Sequence, residues 1–302
     1  MYRMERIIPL IGPTVEGPLG VKMLPRTWLK SMYSAAGLLP DLYFDNDKGF
    51  NHRVVEVLGL EPEPFFAYLA TMPTYPQAED YVRAHATKLD AASIAALNAK
   101  VANYDRAPEG AAATRTRTGI TDASVSNSAL LINYDDWLTA HEELLAHEGD
   151  GIEPLVPMVS SGEVGLAGIP HLPRMWMKAL LSSVHALPAE WKTGVVCGFD
   201  KRCADTIGLD LVATSAYINN EKPTYLQFEG WVLDHIAAPS AATKAEWVTQ
   251  FNAMQKAEAQ AAAEVIESGA TDPTLRGTIL LNDMVDWKHM HDHVVAARVT
   301  SA

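Results

Sequence analysis

The chain has 302 residues, 48% hydrophobic and 20% charged, with Gly 19 and Pro 18, a composition that excludes a disordered, collagenous or disulfide-scaffold protein. Lys plus Arg totals 24 against 37 for Asp plus Glu, a formal charge of -13, and so anionic a surface repels phosphate backbones and acidic lipid headgroups. Nucleic-acid and membrane roles are disfavoured, and with no apolar leader and no run of roughly 18 apolar residues the expected setting is the cytoplasm.

In chain order, residues 8–20 are apolar yet rich in Gly and Pro and read as an ordered loop over a core. Pro25 suits the first turn of a helix over 26–36, because its missing N–H has no partner there in any case. Further helices follow at 50–58, closed by Gly59, and at 75–85, 91–104 and 137–147, while the apolar run 130–132 is too short for periodicity to assign. A similar series follows: a loop at 154–168, Pro173 opening a helix over 174–186, an unassigned Val195-Val196, a helix at 200–207 closed by Gly208, then 226–235. One long helix over 241–267 contains the alanine-rich 257–263, and after the unassigned run 278–281 a last helix spans 287–297. The expected fold class is all-α.

The second series copies the first. Leu24-Pro25-Arg26-Thr27-Trp28-Leu29-Lys30 recurs 148 residues later as Leu172-Pro173-Arg174-Met175-Trp176-Met177-Lys178. Gly49-Phe50 with Arg53 and Gly59-Leu60 recurs after 149 as Gly198-Phe199 with Arg202 and Gly208-Leu209. Pro73-Thr74-Tyr75, His85, and Asp136-Trp137 with His141 recur after 150 as Pro223-Thr224-Tyr225, His235, and Asp286-Trp287 with His291. Collinear matches of this kind indicate an internal duplication, with one repeat domain at 1–149, a second at 150–302, and a pseudo-two-fold relation between them. The Leu-Pro-Arg helix, Gly198-Phe199-Asp200-Lys201-Arg202, Ile207-Gly208-Leu209-Asp210, Phe251-Asn252-Ala253-Met254 and Asp286-Trp287 together resemble a bacterial family catalogued as domain of unknown function 5069. That resemblance covers most of each half, is stronger in the second, and implies no activity.

No Gly-x-Ser-x-Gly elbow, phosphate-binding loop, dinucleotide fingerprint or zinc-type cysteine pairing is present, so no cofactor is expected. Cys197 and Cys203, six apart, read as reduced and packed. An aromatic residue stands four positions before a histidine at Tyr81 and His85, Trp137 and His141, Trp231 and His235, and Trp287 and His291. That spacing puts ring and imidazole on one helical face. One reading packs each histidine against its aromatic neighbour and a backbone group. The other makes His141 or His291, beside Asp136 or Asp286, a proton carrier in an aromatic-walled pocket of Trp137 or Trp287, with His85 and His235 in contact with substrate.

Arg26 with Lys30, and Arg174 with Lys178, share a helical face and are followed by Arg53 and Arg202. They form a candidate clamp for an anionic group, against pairing with acids such as Asp47, Glu56 or Asp205. His289 and His293 are weak candidates for a metal site that needs a further ligand. Where the halves differ is the place to look for acquired function: His52 against Lys201, Asp80 against Gly230, and His171 and His185, exclusive to the second half. The expectation is a small-molecule enzyme, monomeric or homodimeric, doing cofactor-independent elimination, isomerisation or hydrolysis on a small anionic or aromatic substrate in a cleft within or between the repeats. The alternatives are a non-catalytic ligand-binding or scaffold protein, and a His-ligated metalloprotein.

Overall fold

The computed structural model describes residues 4–43 and 49–301, with side chains omitted at the edges of these spans. Asp47 lies outside the described residues. Among those described, the secondary structure is fourteen α-helices and one 3-10 turn, without a strand, so the fold is all-α.

The chain runs through α1 (Leu24–Ala35), α2 (Gly49–Leu58), α3 (Pro62–Leu69), α4 (Tyr75–His85), α5 (Ala91–Ala102), α6 (Pro108–Thr118) and α7 (Ser128–Ala146). It continues through α8 (Leu172–Ser183), the 3-10 turn Gly194–Val196, α9 (Gly198–Ile207), α10 (Leu211–Glu221), α11 (Tyr225–His235), α12 (Ala241–Asn252), α13 (Glu258–Ser268) and α14 (Thr278–Ser301). The runs at 130–132 and 278–281 belong to the opening turns of α7 and α14, and Val195-Val196 to the 3-10 turn. The expected single helix over 241–267 is two, because the chain between them leaves helical geometry. There Gln255 forms an isolated antiparallel bridge with Gly277, and Lys256 N–H donates to the Arg276 carbonyl at 2.9 Å.

The chain folds as two compact units, and each draws on both sequence halves. One, the Trp176 unit, comprises Arg106–Ser126 and Leu130–Met254, with the described part of Met1–Met4; it joins α6 and α7 to α8 through α12. The other, the Trp28 unit, comprises Glu5–Asp105, Asn127–Ala129 and Gln255–Ala302; it joins α1 through α5 to α13 and α14.

Each unit is built round a helix buried on every side. All residues from Leu24 to Tyr33 of α1 and from Leu172 to Leu181 of α8 are buried. Three rings lock each core. Trp28, Tyr75 and Trp287 meet in the Trp28 unit, with Tyr75 edge-on to Trp287 at 4.5 Å. Trp176, Tyr225 and Trp137 meet in the Trp176 unit, with Tyr225 edge-on to Trp137 at 4.5 Å. Each indole removes roughly 150–250 Å² from water, about 4–6 kcal/mol at the usual transfer coefficient. Trp28 and Trp176 satisfy their buried N–H groups on the carbonyls of Pro73 and Pro223, at 2.8 and 2.9 Å.

The expected loops at 8–20 and 154–168 are ordered and largely buried, and buried cations of the central helices fix them. Arg26 donates to the carbonyls of Pro9 and Ile11 at 2.7 and 2.9 Å, and Arg174 to those of Pro157 and Val159 at 2.6 and 2.8 Å. No helix among the described residues is long and apolar enough to cross a membrane.

Candidate functional site

A helix buried all round must find partners for every charge it carries, because an isolated buried ammonium costs several kcal/mol. In α8 the solution for Lys178 is Asp200, on the first turn of α9, whose carboxylate accepts from Lys178 Nζ at 2.6 Å. His171, immediately before α8, donates Nε2–H to the same Oδ1 at 2.7 Å, and Gly194 N–H donates to Oδ2 at 2.8 Å. Lys178 also donates to the Lys192 carbonyl at 3.1 Å and to Cys197 Sγ at 3.2 Å, so one lysine and one aspartate tie down the segment before α9. His171, Asp200 and Lys178 are 1%, 0% and 3% exposed.

The electrostatics follow from burial. Desolvation takes the His171 imidazole down to about 4, so it is neutral at pH 7 despite the adjacent carboxylate. Burial acts to raise Asp200, but the His171 hydrogen bond together with the hydrogen bond and charge of Lys178 outweigh it and hold the carboxyl well below the usual range. With Nε2–H engaged, His171 Nδ1 carries a lone pair, and this buried atom has no hydrogen-bond partner. His171 also sits at φ 69, a left-handed conformation that costs a non-glycine residue roughly 1–2 kcal/mol. The matching positions of the first half hold Met23, also left-handed at φ 68, and Asn51, which accepts from the Thr27 hydroxyl at 3.2 Å. The acidic, imidazole-bearing version belongs to the Trp176 unit alone.

A second buried carboxylate occurs in both units. Glu79 accepts from the Tyr75 hydroxyl at 2.8 Å, Leu19 N–H at 3.1 Å and Arg83 at 3.0 Å. Glu229 accepts from the Tyr225 hydroxyl at 3.0 Å, Ala167 N–H at 2.9 Å and the Tyr134 hydroxyl. Burial raises both carboxyls above their ordinary value. Gly17 and Gly165 let the loops approach: a Cβ on Gly165 would lie 2.6 Å from the Tyr225 hydroxyl and 2.7 Å from that of Tyr134.

The residues singled out from sequence are placed as follows. His141 Nε2 donates to the Lys222 carbonyl at 2.8 Å and His291 Nε2 to that of Met72 at 3.0 Å, each the carbonyl of a left-handed residue just past a helix. His85 and His235 stack on Tyr81 and Trp231 with centroids 4.0 Å apart and bond the carbonyl four residues back. Trp137 and Trp287 are core, and Asp136 and Asp286 are buried beside them in sequence. Arg53 lies over the Tyr104 ring at 5.9 Å, and Arg202 reaches Met254 Sδ at 3.5 Å. Glu56 pairs with His52 and Asp205 with Lys201. His289 pairs with Glu267 at 2.8 Å, and among the described residues no group of three His, Cys, Asp or Glu side chains is placed to hold a metal.

Of these expectations, the structure brings together Lys178 and His171, read separately in the sequence. Asp200, Tyr134 and Glu229 escaped the sequence reading; the exchange of Asn51 for Asp200 between the halves was the available signal. No protein-family model, curated protein or solved structure matches the chain.

Proposed function

We propose that the chain is a duplicated helical module whose Trp176 unit carries an acid–base site, and that it performs cofactor-independent elimination, isomerisation or hydrolysis on a small, anionic substrate. The observation that carries this reading is the Asp200–His171 pair. The carboxylate fixes the imidazole tautomer and leaves Nδ1, buried and unpartnered, as a proton acceptor. Asp200 stabilises the imidazolium formed when that nitrogen takes a proton, and Lys178 supplies positive charge for a developing oxyanion. The matched bonds of Arg26 and Arg174, and of Trp28 and Trp176, support the duplication, and the resemblance to domain of unknown function 5069 is part of the same proposal.

The test is a turnover screen with p-nitrophenyl esters and small hydroxy- and keto-carboxylates, repeated with His171→Asn. Turnover lost by about 100-fold or more in the variant is expected for removal of a general base; equal turnover in both proteins overturns the assignment. The alternative, a non-catalytic ligand-binding protein, is favoured by one observation: His85, His141, His235 and His291, with Arg26 and Arg174, all bond main-chain carbonyls.

A further inference from the structure

Ser161 and His171 each carry a buried polar atom without a hydrogen-bond partner, the Ser161 hydroxyl and His171 Nδ1, and the two residues are 0% and 1% exposed. An orphaned buried hydroxyl works against folding, so its presence calls for an explanation. The loop that carries Ser161 is fixed to the first turn of α8, just after His171, where Arg174 donates to the Pro157 and Val159 carbonyls. Arg26 holds the Pro9 and Ile11 carbonyls in the same way, so the two loops lie in one register on their central helices, 148 residues apart. In that register Ser161 matches Pro13 and His171 matches Met23. The Met23 N–H donates to the Pro13 carbonyl at 3.0 Å, so these two positions adjoin. The third member is Asp200, matched by Asn51, which accepts from His171 Nε2–H at 2.7 Å. Where the Trp28 unit has Pro, Met and Asn, the Trp176 unit therefore has Ser, His and Asp, the residue types that together make a nucleophile, its base and an orienting carboxylate. Unspent polar capacity continues at the Thr193 hydroxyl, buried without a partner beside Gly194, whose N–H bonds Asp200.

We infer, resting on the acid–base reading of His171, that Ser161 is the nucleophile of an acyl-transfer site and that the substrates are esters of small carboxylic acids. Asp200 engages Nε2–H, so Nδ1 is the nitrogen left to exchange protons. Ser161 Oγ attacks the ester carbonyl carbon while His171 Nδ1 takes the hydroxyl proton. The bond to the alkoxy oxygen then breaks, that oxygen leaves as the alcohol with the proton from Nδ1, and Ser161 is left acylated. Water, giving a proton to the same nitrogen, adds to the acyl carbon, and the carboxylic acid departs as the proton returns to Ser161 Oγ. No oxidant or reductant enters either step. In the free chain the Ser161 hydroxyl and Nδ1 are not hydrogen-bonded to each other, and a nucleophile and its base commonly stand apart until substrate is bound. Groups so enclosed by protein take an acyl chain of acetyl size and refuse a long one.

The full-length protein is mixed with p-nitrophenyl acetate, nitrophenolate release is followed from the first turnover, and acid-quenched samples are searched peptide by peptide for an acetyl group by mass spectrometry. The expected result is a burst of about one equivalent per chain and an acetyl group on Ser161. Ser161→Ala abolishes both, yet unfolds at the wild-type temperature or above it, because the hydroxyl removed has no partner to lose. His171→Asn slows acetylation of Ser161 by about 100-fold or more. A wild-type chain without acetyl on Ser161, or a burst of equal size in Ser161→Ala, overturns the inference. Turnover kept in Ser161→Ala and lost in His171→Asn overturns the nucleophile alone, with His171 then acting on water. Equal acetylation of Ser161 in wild type and His171→Asn overturns the part given to His171 here and in the acid–base reading alike. Acylation by p-nitrophenyl octanoate as fast as by the acetate overturns the limit to small acyl groups.

Discussion

The Tyr134 hydroxyl donates to Glu229, and across the 150-residue offset this pair becomes Met284 and Glu79. The donor lost at 284 is replaced by Arg83, which meets Glu79 from one turn further along α4, where the other half has Leu233. Two units thus satisfy one buried carboxylate in two ways, one with a phenol and one with a guanidinium. Arg83→Leu is expected to destabilise the Trp28 unit by about 1–3 kcal/mol, because Glu79 loses a partner in a buried place. Adding Met284→Tyr restores part of that loss. Urea unfolding of the two single variants and the double variant closes the cycle, and strict additivity refutes the exchange.

Gly165→Ala forces a methyl group against the Tyr225 and Tyr134 hydroxyls and is expected to cost about 2 kcal/mol or more. Gly230→Ala, inside α11 with open space around its Cβ position, serves as the opposite control and should stabilise by about 0.5–1 kcal/mol. Thermal unfolding of both separates a steric requirement from a general glycine effect.

His171 titrates at about 4 in the folded chain against 6.5 when free. Between those values the unfolded chain binds a proton that the folded chain refuses, so stability falls as the pH drops from about 6.5 to about 4. Asp200 is depressed, and its contribution is present above its unfolded value of 3.8 and lost as the pH falls below it. His171→Gln is therefore expected to flatten the upper limb of the acid-unfolding curve while keeping the lower one, and an unchanged upper limb would exclude His171 as its source.

His141→Ala and His291→Ala are expected to cost about 1 kcal/mol each, the worth of one hydrogen bond to a helix-terminal carbonyl. Calorimetry on the two variants measures this directly. Under the proposed function neither change abolishes turnover, in contrast to His171→Asn.

Much of the architecture was legible from local chemistry. Pro25 and Pro173 opened helices, Gly208 closed one in the left-handed conformation, and helix 75–85 began and ended where its residues indicated. The break between α12 and α13 was not legible, because it depends on Gln255 pairing with Gly277, and alanine-rich sequence alone favours continuation. The site was half legible. Comparing the halves exposed His171 as a residue of the second alone. Its partner Asp200 is 29 positions away, and the partners Tyr134 and Glu229 are 95 apart, distances at which spacing carries no information. Tyr81 with His85 and Trp231 with His235 stack as their spacing indicates, whereas His141 stacks on Trp176, and the backbone partners of His141 and His291, Lys222 and Met72, lie just past other helices and leave no mark in the pattern.

The composition of the two units constrains how the chain can be divided. α6 and α7 complete the unit built on α8, and α13 and α14 complete the unit built on α1. A single cleavage near residue 149 therefore yields two fragments, neither holding all of either unit, and each fragment contains the closing helices that the other lacks. A chain cut there can rebuild either unit only when both fragments are present.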